Sequence, residues 1–100
     1  MSNPAWKKFE QKIAKELEGH RIPCSGVAKD FKGDVETDIF LIDCKHGKQI
    51  PKRLIDWYEK IKKDAKHKGK IPILILKPKG KHYELVVISL KNFKEMIGGK

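Results

Sequence analysis

The stretch Asp34-Val35-Glu36-Thr37-Asp38-Ile39-Phe40-Leu41-Ile42-Asp43-Cys44-Lys45 decides how this chain is read. Asp34-Val35-Glu36 and Ile39 to Lys45 read as two strands, joined by a tight turn near Thr37-Asp38 and closed by His46-Gly47. In the second strand, alternation puts Asp43 and Lys45 on one face and Phe40, Ile42 and Cys44 on the other. Asp34 stands eight intervening residues before Asp43 and opens the pairing strand, so a hairpin register can bring the two carboxylates side by side. Such a pair repels itself unless a cation lies between, and oxygen ligands of this kind suit Mg²⁺ or Mn²⁺. A lysine beside them can orient or deprotonate a water and stabilise charge developing on phosphate. The plainer alternative is a surface ion pair between Asp43 and Lys45, which contributes little.

Upstream of this hairpin, Pro4 suits the first turn of a helix running to about Glu18 and stopping at Gly19. Trp6, Phe9, Ile13 and Leu17 form its apolar stripe, and Glu10 lies about 40° from Trp6, inside that stripe. A carboxylate buried there without a partner would be costly; at the edge of the stripe it would instead reach solvent. Arg21 to Gly26 reads as a short strand entering a loop, followed by a polar, turn-rich stretch from Lys29 to Gly33. Downstream, a second helix spans Lys52 to His67, with Leu54, Trp57 or Tyr58, Ile61 and Ala65 facing inward and Gly69 ending it. Ile71 to Lys77 and His82 to Ile88 read as strands across a Lys79-Gly80-Lys81 turn, and Ser89 can cap a short last helix carrying Leu90, Phe93 and Ile97. The expected order is α-β-β-β-α-β-β-α in one domain covering residues 1–100, with no internal repeat or linker.

At 100 residues the chain has room for one small core and no second catalytic domain. Its longest apolar runs fall far short of the roughly 18 residues that span a bilayer, and no signal-peptide core opens it, so a cytoplasmic location is expected, host cytoplasm if the source is viral. The two cysteines, Cys24 and Cys44, are too few for a disulfide framework. Twenty-three Lys plus Arg against 13 Asp plus Glu give a net charge of +10, which calls for a polyanionic partner, nucleic acid first. Only Arg21 and Arg53 are arginines; lysines act as point charges toward phosphate, which favours backbone recognition over reading of bases. The spacings of His20, Cys24, Cys44 and His46 match no ordinary zinc finger or ribbon. Lys62-Lys63-Asp64-Ala65-Lys66 is similar to the basic helix motif of double-stranded RNA-binding domains, but here two further strands follow the helix that carries it.

Gly33-Asp34, then Ile42-Asp43-Cys44-Lys45, preceded by Glu10 on an amino-terminal helix and followed by a helix and a strand, resembles the PD-(D/E)XK nuclease superfamily. Within it the chain looks most like archaeal and phage Holliday junction resolvases, through the short Asp-to-Asp-x-Lys spacing, Ser25-Gly26 before the first Asp, and the strand beginning at Lys70. The resemblance implies an α/β, restriction-endonuclease-like fold with a mixed sheet of about five strands flanked by helices. It implies Asp34, Asp43 and the Cys44 backbone carbonyl as ligands of Mg²⁺, with Mn²⁺ substituting, and Glu10 supporting the metal through water. Lys45 would be the water-activating lysine and Ser25 a loop residue near the junction phosphate. The implied activity is metal-dependent hydrolysis of phosphodiesters in branched DNA by a homodimer; a nuclease for nicks, flaps or single strands and a noncatalytic basic nucleic-acid-binding module are the alternatives. Gly33 stands where the motif's proline is usual, and Asp43 where these resolvases usually carry the longer Glu.

Overall fold

The computed structural model describes residues 4–22 and 33–98. The chain divides into two compact units, Met1–Gln49 and Ile50–Lys100. In the first, helix α1 (Ala5–Glu16) precedes strands β1 (His20–Arg21), β2 (Val35–Glu36) and β3 (Leu41–Ile42), with a short 3₁₀ helix at Gly47–Gln49. In the second, α2 (Lys52–Lys68) leads to β4 (Leu74–Leu76), β5 (Leu85–Val87) and α3 (Leu90–Ile97). The chain is thus α/β, with the expected order of helices and strands. No helix among the described residues is long and apolar enough to cross a membrane.

The first unit is an antiparallel meander β1-β2-β3 backed by α1. Its register pairs Arg21 with Val35 and Val35 with Ile42, so these three side chains share a face, and Val35 is fully buried. Helix α1 covers that face with Glu10, Ile13 and Ala14, its buried residues. Trp6, at the start of the expected stripe, is half exposed, so the buried seam runs one step round the helix from the line drawn through the large apolar residues. The turn between β2 and β3 falls where expected: Thr37 N–H donates to the Phe40 carbonyl at 2.9 Å, and Thr37 Oγ1 accepts from the N–H groups of Ile39 and Phe40. On the opposite face, Glu36 meets His20 at 4.0 Å and Leu41 is exposed.

Helix α1 stops at Glu16 rather than Glu18. Glu18, not Gly19, takes the left-handed conformation, with φ of 58°. Gly19 is needed for room: a Cβ there would collide with the Glu36 carbonyl oxygen and come within 2.8 Å of the Thr37 methyl. The glycine lets the chain pass close to β2, and the strained turn moves to the residue before it.

In the second unit, α2 ends as expected on Gly69, whose φ of 64° is left-handed, and the Lys70 N–H donates to the Ala65 carbonyl across that cap. Tyr58 rather than Trp57 is the half-buried aromatic, in line with Leu54, Ile61 and buried Ala65. Ser89 caps α3 by accepting from the Asn92 N–H at 3.2 Å. β4 and β5 form an antiparallel hairpin, Leu74 to Val87, Ile75 to Val86 and Leu76 to Leu85.

The expected mixed sheet of about five strands is not what forms. The described strands make two separate antiparallel sheets, of three and two strands. Each ladder is cut short by a visible cause. Beyond Ile42, the Cys44 N–H goes to the Asp34 carboxylate instead of a strand carbonyl, and Gly47, at φ of 72°, turns the chain into the 3₁₀ helix. Pro72 and Pro78, which lack an N–H to donate, bracket β4 and hold it to three residues of the longer run expected.

Candidate active site

The β2–β3 register, extended one pair past Val35–Ile42, sets Asp34 opposite Asp43 at the open end of the hairpin, where the Asp34 N–H donates to the Ile42 carbonyl at 2.7 Å. Asp34 Oδ2 accepts the Cys44 N–H at 2.6 Å, a short charge-assisted bond that fixes this carboxylate to the backbone of the other strand. Lys45 Nζ lies 2.7 Å from Asp43 Oδ2, two residues away just beyond the end of β3. The Lys45 hydrogen bond and charge hold the Asp43 carboxyl below its ordinary value, with the Asp34 side chain adding a smaller hydrogen bond in the same direction. Conversely, the hydrogen bond to Asp43 raises the Lys45 ammonium above its usual value, so at neutral pH this lysine carries its proton. In this state Lys45 is an electrostatic and orienting group, not a base.

Glu10 enters from α1. It is buried, and the carboxylate that the apolar stripe made questionable has a partner: Arg21 Nε at 3.0 Å and Nη2 at 2.9 Å, both on Oε1. Oε2 takes no hydrogen bond from the described residues and is left for a water or cation. Arg21 is the site residue that sequence reasoning missed. Its signal was chemical: one of two arginines in a lysine-dominated chain, and arginine is the residue whose fork suits a buried carboxylate.

Glu10, Asp34, Asp43, Cys44 and Lys45 line one cleft of about 390 Å³, with Trp6, Phe9, His46, Lys48 and Gln49 completing its wall. The ladder ends at Ile42, and beyond it Cys44 lines the same cleft as Asp43 and Lys45. Burial raises the Cys44 thiol above its ordinary value, and the fields of Asp34, Glu10 and Asp43 raise it further. Three carboxylates therefore act on one point, gathered in a cleft that Lys45 and Lys48 also line, in a chain of net charge +10. The His46 ring packs 5.5 Å from Phe9, and its buried Nε2 has no hydrogen-bond partner among the described residues. Ser25 lies outside the described residues.

The carboxylate oxygens here are donors of the kind a hard divalent cation takes. Among the described residues no three His, Cys, Asp or Glu side chains are arranged to hold a metal, so a cage made of side chains alone is not available. Mg²⁺ does not need one; it commonly binds through one or two carboxylates and keeps several waters. Asp34 and Asp43 supply that pair, both facing an open cleft. No protein-family model, curated protein or solved structure matches this chain.

Proposed function

We propose that the chain is a metal-dependent endonuclease of the PD-(D/E)XK kind, hydrolysing phosphodiesters in branched DNA as Holliday junction resolvases do. The observation that carries this reading is the convergence of three carboxylates, Glu10, Asp34 and Asp43, with Cys44 and Lys45 on one cleft, from helix α1 and from the open end of the β2–β3 hairpin. Asp34, Asp43 and the Cys44 carbonyl would hold Mg²⁺, which when bound polarises the phosphate and activates water. The chain's own residues do the rest. Asp34 is pre-positioned by the Cys44 amide, Lys45 orients the attacking water and balances charge developing on phosphate, and Arg21 fixes Glu10 in the wall of the cleft through its Oε1.

The decisive assay sets Mg²⁺ and Mn²⁺ against four-way junctions, nicks, flaps, single strands and linear duplex. Asp43→Asn keeps the side-chain shape but removes the charge that draws the cation, so cleavage should fall by orders of magnitude while DNA binding survives. One observation favours the rival reading of a noncatalytic basic module: Asp43 Oδ2 is already occupied by Lys45. That reading takes over if wild-type protein cuts no substrate with either ion.

A further inference from the structure

The second unit carries a groove that the nuclease reading does not use. A concavity of about 680 Å³ lies among one face of α2, the segment after it and the start of α3. Five lysines line it: Lys62, Lys63 and Lys66 from α2, Lys70 just past the Gly69 cap, and Lys91 in the first turn of α3. Glu59 is the one acidic residue on its wall, and none of the five lysines has a carboxylate within 4.0 Å among the described residues. By contrast Lys12, Lys45 and Lys52 are paired.

We infer that this groove binds the phosphodiester backbone of a DNA duplex arm, independently of hydrolysis at the Asp34–Asp43 cleft. Five ammonium groups around one hollow repel one another, and an anion with several separated charges relieves that repulsion better than a single small ion. Lys62 and Lys66 stand one helical turn apart, about 6 Å along the axis, so they present charge as a row. The start of α3, where Lys91 stands, adds the positive end of the helix dipole to the same wall. The absence of arginine there suits contact with phosphates in place of bases. The concave shape suits a strand of backbone and is a poor match for the flat face of a lipid surface.

The test is DNA binding by fluorescence anisotropy in EDTA, so that cleavage plays no part, using a labelled 20-base-pair duplex across a salt series. The full-length triple variant Lys62→Gln/Lys63→Gln/Lys66→Gln should lower the slope of log affinity against log salt by about 2.7, roughly 0.9 for each phosphate no longer neutralised. A control triple, Lys7→Gln/Lys8→Gln/Lys15→Gln, removes the same charge from exposed and half-buried positions on α1 and should change the slope by less than about one. Equal effects of the two triples overturn the proposal, because net charge alone then explains binding. So does a larger effect of the groove variant on binding to phosphatidylserine vesicles than on binding to DNA. If the α2 triple fails to fold by circular dichroism, Lys70→Gln/Lys91→Gln tests the other two walls, with an expected slope change of about 1.8. Cleavage-dead Asp43→Asn must retain the full wild-type slope, which separates this groove from the nuclease site.

Discussion

The Asp43–Lys45 contact joins two opposite demands in one place. The ammonium lowers the Asp43 pKa, so the carboxylate is charged and ready for a cation, yet it also occupies the oxygen that the cation needs. Lys45→Ala should therefore tighten Mg²⁺ binding, measured by isothermal titration, while cleavage falls; unchanged or weaker metal binding would show that Asp43 is not a ligand. The pair's share of stability has a definite sign. A carboxyl held below its ordinary value of 3.8 stabilises the fold above that value and loses its contribution as pH falls through the lowered one, so the contribution is constant at neutral pH and changes only in acid solution. Because both side chains are largely exposed, it is small. The Glu10–Arg21 pair is different, since both partners are nearly buried. Arg21→Met leaves an unpaired buried carboxylate and should cost about 3 kcal/mol in urea unfolding, whereas the double change Arg21→Met/Glu10→Leu should recover most of it. Such recovery in stability, with no recovery of cleavage, would place the pair's value in function.

Among the elements, α1 carries the clearest correctable strain. Glu18 sits in the left-handed region at φ of 58°, where a Cβ is unfavourable, and its side chain is exposed. Glu18→Gly should stabilise by about 0.5 kcal/mol after the added freedom of the unfolded chain is counted, raising Tm by roughly 2–4 °C. Gly19→Ala should destabilise through collision with β2. The pair also shows where sequence reading stops. A helix followed by Gly19 announces an end, but only the close passage past Glu36 tells which of the two residues turns. Where the cause was local the reading succeeded: the Thr37-Asp38 turn, Gly69 closing α2 and Ser89 capping α3 each depend on residues a few positions apart. Where it was long-range it did not. Arg21 finds Glu10 across 11 residues, Tyr58 and Trp57 differ by one helical step, and the extent of each sheet rests on pairings that alternation in single strands does not specify.

For the whole molecule, charge and size set the expectations. A chain of 11.5 kDa and net charge +10 offers two concavities of different make-up, one in Met1–Gln49 that gathers three carboxylates and one in Ile50–Lys100 lined by lysines. A four-way junction presents two strands to cut in symmetry-related positions, so the proposed activity calls for two copies of the Asp34–Asp43 cleft. Light scattering at micromolar concentration should report about twice the chain mass. A monomer that still cuts both strands symmetrically would remove the dimer from the proposal and leave the cleft chemistry intact.

The 2.6 Å bond from the Cys44 amide to Asp34 Oδ2 makes one backbone proton a gauge of the carboxylate's charge. A short bond to an anion deshields its proton, so in a nitrogen–proton NMR spectrum the Cys44 amide should resonate downfield of ordinary loop amides and exchange slowly with solvent. A divalent ion arriving on Asp34 draws electron density from that oxygen and shifts the amide upfield, before any DNA is present and without any turnover. The occupancy of the cleft can then be followed through a single peak.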